Sequence, residues 1–161
     1  MSTVTLNKQV VEPKWNTTQI QEEAVRAHSM LYLTAMNTVA KLGGEKAVQE
    51  FQTEMRQHKV EHYKKVGVKT PLELVKAMAE FEANVFGSKI EISGDENKAE
   101  LKYNQCAMWN AMKNFGHLNA QQEEQMGRSF EMCVQNLAKE FGFKAETKFE
   151  GDQTCVLHFS K

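Results

Sequence analysis

Lys89-Ile90-Glu91-Ile92-Ser93-Gly94-Asp95-Glu96-Asn97-Lys98-Ala99-Glu100-Leu101-Lys102-Tyr103 is where the pattern of the chain changes. On both sides of Gly94-Asp95-Glu96-Asn97, apolar and polar residues alternate with a period of two. Two such runs around a Gly/Asp/Asn turn predict a β-hairpin. A second alternation closes the chain. Phe143, Ala145, Thr147 and Phe149 share one strand face, Glu150-Gly151-Asp152-Gln153 makes the turn, and Cys155, Leu157 and Phe159 share a face of the last strand, with Val156 and His158 opposite. Four strands with one apolar face predict one antiparallel sheet.

Outside the hairpins the spacing is three and four, the spacing of helices. Ile20, Ala24, Ala27, Leu31, Ala35, Val39 and Leu42 predict a helix over 18–42, stopped by Gly43-Gly44. Val48, Phe51, Met55, His58, His62 and Val66 predict a second over 45–66. Thr70-Pro71-Leu72-Glu73 is a capping box with proline at the first helical position. It starts a third helix that runs through Val75, Met78 and Val85 to Gly87. Asn104 is the expected cap of a fourth helix over 105–115. His117 falls in a break, and Asn119 with Gln122 caps a fifth helix with the stripe Met126, Phe130, Cys133, Leu137 and Phe141. The expected architecture is α+β, helices packed on a four-stranded antiparallel sheet in the order ααα-ββ-αα-ββ. Residues 1–17 read as an N-terminal arm, with Trp15 as the residue that docks it on the domain or on a partner, and 18–161 as a single α+β domain.

Composition narrows the function. The chain has 161 residues, 41% hydrophobic and 25% charged, with a formal net charge of -1. No basic face is evident, which argues against nucleic acid as a partner. No run of about 18 apolar residues occurs to span a bilayer. The opening residues carry no apolar signal core, so a cytoplasmic location is expected. The acids divide into nineteen Glu and two Asp, Asp95 and Asp152, a bias toward helix surfaces.

The chemistry-bearing residues are few. Cys106, Cys133 and Cys155 are an odd set without a CxxC pair, so they read as buried residues, metal ligands or a nucleophile rather than a disulfide framework. Cys106 follows a strand and enters a helix, where free amides and the macrodipole favour an anion and a lowered thiol pKa. All three lie on stripes read as inward. Three thiols around one cavity, with Glu146 or a histidine as fourth ligand, would suit zinc. His58-Lys59-Val60-Glu61-His62 matches HxxEH, which puts two histidines on one helix face as metal ligands, general bases or pocket residues. His28, Trp109, Phe130, Cys133 and Cys155 are candidate ligand-binding residues.

Tyr103-Asn104-Gln105-Cys106, Phe115-Gly116, Glu131-Met132-Cys133, Phe141-Gly142-Phe143 and Glu150-Gly151-Asp152-Gln153-Thr154-Cys155 together resemble the L-2-amino-thiazoline-4-carboxylic acid hydrolase-like family. The same stretch is similar to four-vinyl-reductase-type small-molecule-binding domains, which share the closing Gly-Asp and Cys strand. The resemblance covers about residues 88–160. It implies helices around a twisted antiparallel sheet, an internal pocket for a small organic molecule, and water-driven opening of a thiazoline or cyclic amidine ring. Cys106, Cys133 and Cys155 would match the three family cysteines, with His58 or His62 as general base. Some vinyl-reductase-type sensors hold zinc near this hairpin; Phe149 stands here where one of their cysteines is expected. The other expectation is a non-catalytic ligand- or zinc-binding sensor or carrier, a homodimer through its helices, or an accessory subunit of a larger complex.

Overall fold

The structure, a computed structural model, describes residues 12–116, 118–151 and 154–161. Most of the N-terminal arm, His117 and Asp152 lie outside the described residues. The elements are α1 (Thr17–Lys65), α2 (Pro71–Phe86), β1 (Lys89–Gly94), β2 (Lys98–Gln105), α3 (Ala107–Gly116), α4 (Ala120–Lys139), β3 (Lys144–Phe149) and β4 (Cys155–Ser160). The fold is α+β, with helices on a four-stranded antiparallel sheet. No described helix is long and apolar enough to cross a membrane.

The two helices expected over 18–66 are the two arms of α1. The two helical segments abut at Gly44, which sits at φ 65 and ψ −159, outside helical geometry. In a straight helix Tyr32 and Gln52 would stand about 30 Å apart. Here the Gln52 side chain acts on the Tyr32 phenol, and Lys59 lies within electrostatic reach of His28. The arms therefore fold back on each other at Gly43-Gly44. Three helices start with the same reciprocal device, a capping box: Asn16 with Gln19, Thr70 with Glu73, Asn119 with Gln122. Each satisfies two backbone amides that no helical carbonyl reaches. Asn104 is not the cap of α3. It stays in β2 and donates to Glu91 across the hairpin at 2.7 Å, and Cys106 takes the capping position.

The strand order is β1-β2-β4-β3. The second strands of the two hairpins pair in the centre, with Leu101 opposite Leu157, Tyr103 opposite Cys155 and Ala99 opposite Phe159. The inner face packs on α2, α4 and the second arm of α1. Leu74 and Val75 of α2, Leu137 and Ala138 of α4 and Val60 of α1 meet Leu101, Leu157 and Phe159 there. A leucine so buried contributes about 1.5–3 kcal/mol relative to exposure. A smaller cluster of Val25, Phe86 and Ala111 joins the first arm of α1 to α2 and α3.

Several stripes face other ways than their spacing predicts. On the first arm Val25 and Ser29 are buried, while Leu31 and Leu42 are 69% and 84% exposed and Ile20 is exposed too. Ser29 explains the choice: its small side chain lets Met108 of α3 approach, with Oγ and Sδ 3.6 Å apart. On the second arm Val60 and Tyr63 are buried, and His58, His62 and Val66 face out. On α4 Val134 is buried and Cys133 is exposed. Val85 and Phe149 are exposed, and Trp15 is 60% exposed rather than docked on the described domain. Val156 is buried although it faces outward in the sheet. Its register neighbours Lys102 and Lys148 both reach Glu150, at 3.4 and 3.5 Å, and their aliphatic stems flank it.

Gly94 ends β1 at φ 129, and a Cβ there would collide with the Lys98 carbonyl oxygen and with Ala99. Gly94→Ala is expected to destabilise the fold by about 2 kcal/mol or more, combining backbone strain and a backbone clash. Urea unfolding checks this; a change within about 0.5 kcal/mol would contradict the hairpin geometry.

Candidate functional site

A group of inward-facing polar side chains gathers where the end of α2 meets the start of α3 and the ends of β2 and β4. Gly87 closes α2 in a left-handed conformation and turns the chain so that Ser88 enters the interior. Ser88 Oγ donates to the Glu82 carboxylate at 3.2 Å and accepts the Ala107 amide, the first of α3, at 3.1 Å. Cys106 sits at the cap of α3. Its Sγ accepts the Trp109 amide at 3.4 Å and its carbonyl accepts the Asn110 amide at 3.1 Å. Because β2 pairs with β4, Tyr103 lies opposite Cys155. Tyr103 and Cys155 are buried, and so is Tyr63 from the second arm of α1.

The electrostatics of this cluster favour neutral groups. Burial pushes the Cys106 thiol up to about 11 and the neighbouring charge of Glu82 adds to this, against the lowering effect of the Trp109 and Met108 amides. The expectation of a lowered pKa at the start of α3 is thus corrected. The helix-end amides are present, but loss of hydration outweighs them. Burial pushes Cys155 up to about 12, and Cys106 raises it further. Burial, then Glu82 and Cys133, pushes Tyr63 up to about 12. Tyr103 moves up by burial first and then by Glu82, Cys106, Cys155 and Tyr63. Burial raises the Glu82 carboxyl above the ordinary carboxylate range, opposed by Lys59 and the Ser88 hydrogen bond.

The sequence candidates divide around this cluster. Cys106 and Cys155 are in it. His28 is at its rim: its ring stands 5.2 Å from Phe86, and burial followed by Lys59, the cation that also acts on Glu82, lowers its pKa. Trp109 contributes its amide and is half-buried. Phe130 packs against the main core, 6.4 Å from the Phe149 ring. His58 and His62 are exposed on the outside of α1, so the HxxEH spacing builds no inward site. Cys133 is exposed on α4. Glu146 pairs with His158 on the outer sheet face, opposite to the face of Cys155, beside an open depression of about 490 Å³. Strand alternation alone separates Glu146 from the thiols. The expected zinc set Cys106, Cys133, Cys155 and Glu146 therefore does not converge, and among the described residues no group of three or more His, Cys, Asp or Glu is placed to hold a metal.

Glu82, Ser88 and Tyr63 escaped the sequence reading, and Tyr103 entered it as a strand and motif residue rather than as a site residue. A signal for Glu82 was present: it lies one helical turn beyond Leu74 and Met78, on the buried stripe of α2. Tyr103 alternates with Ala99 and Leu101 on the inward side of β2. Compared with protein-family models and with curated proteins, the chain gives no match.

The thiols are free and differ in exposure: Cys106 half-buried, Cys133 exposed, Cys155 buried. A disulfide reagent at pH 7.5 is expected to titrate one fast thiol in the native protein and three after denaturation, with the fast one lost in Cys133→Ser. Two or more fast native thiols would contradict the buried cluster. Both clustered thiols have ordinary values of 9.0 that rise on folding. Above pH 9 the unfolded chain releases protons that the folded chain keeps, so stability falls as pH rises from 9 to about 11. Urea unfolding at stepped pH should show that decline, and Cys155→Ala should flatten it. An unchanged slope in the variant would contradict the assignment.

Proposed function

We propose that this chain is a small-molecule-binding protein. Its site is the Glu82, Ser88, Tyr103, Cys106 and Cys155 cluster, and its ligand is a compact basic molecule of the cyclic amidine or thiazoline type. The observation that carries the reading is Glu82: a carboxyl whose pKa burial raises, tied to Ser88 and within electrostatic reach of the Cys106 thiol and of Tyr63 and Tyr103. A desolvated carboxylate is costly until a cation pairs with it, and an amidinium presents two N–H donors in the plane a carboxylate accepts. The ligand's charge would then offset the desolvation that raises the Glu82 pKa.

The resemblance to the thiazoline-hydrolase-like family and to vinyl-reductase-type binding domains supports the same reading. Of its three motif cysteines, Cys106 and Cys155 are the two that fall in the cluster. The binding reading ranks above the hydrolytic one because both thiols are held protonated at neutral pH, and a protonated thiol is a poor nucleophile. His58 and His62 are too exposed to serve as bases in an interior site. A cytoplasmic setting fits three free cysteines.

The test uses 2-amino-thiazoline-4-carboxylic acid and 2-amino-2-thiazoline as probes. Both are expected to raise the melting temperature of the wild-type protein, and Glu82→Gln, which keeps the Ser88 hydrogen bond, should abolish the shift without unfolding the chain. No shift with either probe would overturn the ligand class. Chromatographic detection of ring-opened product, lost in Cys106→Ser, would replace binding by hydrolysis.

A further inference from the structure

The strand order leaves β3 at an edge of the sheet, with no strand on its outer side. The Glu150 amide donates to the Thr154 carbonyl at 3.0 Å, which fixes the phase of the ladder between β3 and β4. Stepping back by two residues, the backbone groups of Lys144, Glu146 and Lys148 point to β4, and those of Ala145, Thr147 and Phe149 point to the free edge. The outer face of β3 reads Lys144, Glu146, Lys148, followed at once by Glu150, all of them exposed. Neither Lys144 nor Glu146 has an ion-pair partner among the described residues. On the inner face Phe149 is 49% exposed, and the Thr147 Oγ1 is buried with no hydrogen-bond partner among the described residues.

We propose that this edge pairs with the β3 edge of a second copy of the chain, antiparallel about a two-fold axis at Thr147, so that one sheet runs through both copies. Opposed side chains must share a sheet face, so the axis passes through a residue, and charge selects which one. An axis at Glu146 would set Glu146 against itself and Lys144 against Lys148. An axis at Lys148 would set Lys148 against itself and Glu146 against Glu150. An axis at Ala145 or Phe149 would run half the strand past its copy. With the axis at Thr147, Glu146 meets Lys148 and Lys144 meets Glu150, each twice by symmetry. The alternating order of charge is its own complement when reversed, as a two-fold interface requires. These contacts fall at the pairs that exchange no hydrogen bonds, where side chains come closest. The hydrogen-bonded pairs are Thr147 with Thr147 and Ala145 with Phe149, so every backbone group that β3 turns to the free edge gains a partner. Rotation about the Cα–Cβ bond lets the directly opposed Thr147 hydroxyls bond each other, and Ala145 of each copy covers Phe149 of the other.

Sedimentation of the full chain is expected to give twice the 18.4 kDa chain mass. Glu146→Lys, at an exposed position, should halve that mass with the circular dichroism unchanged, because it sets lysine against Lys148. Adding Lys148→Glu exchanges the two charges, keeps the order self-complementary and should restore the dimer. In a Cys133→Ser background, Glu146→Cys mixed with Lys148→Cys should form a disulfide-linked dimer under copper-phenanthroline oxidation, and neither should do so alone with comparable yield. A monomeric wild type, a dimer indifferent to Glu146→Lys, a folded double variant that stays monomeric, or crosslinking of either cysteine variant alone as efficient as that of the mixture would each overturn the proposal.

Discussion

The pairing of β2 with β4 is the constraint on which the rest depends. Each hairpin alone is a two-stranded ribbon, marginal in water. Joined through their second strands, with Leu101 opposite Leu157, they form one sheet whose inner face α2 and α4 cover. The same register sets Tyr103 opposite Cys155 and delivers Cys106, three residues further on, to the start of α3. A slip by one residue would turn Tyr103 and Cys155 away from the interior and dissolve the polar cluster. Fold and candidate site thus rest on one ladder of hydrogen bonds.

Desolvation then sets the chemistry. The start of α3 offers amides to the Cys106 sulfur, an arrangement that in a wetter place yields a thiolate. Here burial raises the pKa of Cys106, Cys155 and Tyr103 alike; the Glu82 carboxyl adds to the rise at Cys106 and Tyr103, and Cys106 adds to it at Cys155 and Tyr103. The chain of hydrogen bonds from Ala107 through Ser88 to Glu82 ties α2 to α3 and orients the carboxylate. An interior of neutral thiols and phenols around one tethered carboxyl is better suited to hold a cation than to attack an electrophile.

The fold was legible because its signals are local and redundant. Both alternating runs, the Thr70-Glu73 and Asn119-Gln122 boxes and the Gly43-Gly44 break each had one physical reading, and each appears where the residues placed it. Facing was less legible. Periodicity fixes the angle between residues, not which face a neighbour covers, and α1 has apolar residues on more than one side. His58, His62, Ile20 and Leu31 turned outward for that reason, and on α4 Cys133 is exposed beside the buried Val134. The site was half legible. Cysteine is a conspicuous letter, so Cys106 and Cys155 were noticed. Glu82 looked like one of many helix-surface glutamates until the packing of α2 showed it on the buried stripe beside Ser88.

The carbon-13 carboxyl titration of Glu82 tests the central claim most directly. In the ligand-free protein one glutamate resonance should titrate above the ordinary glutamate range, and it should vanish in Glu82→Gln. If every glutamate carboxyl titrates in the ordinary range, Glu82 is hydrated, and the account of a desolvated carboxyl awaiting a cation is wrong.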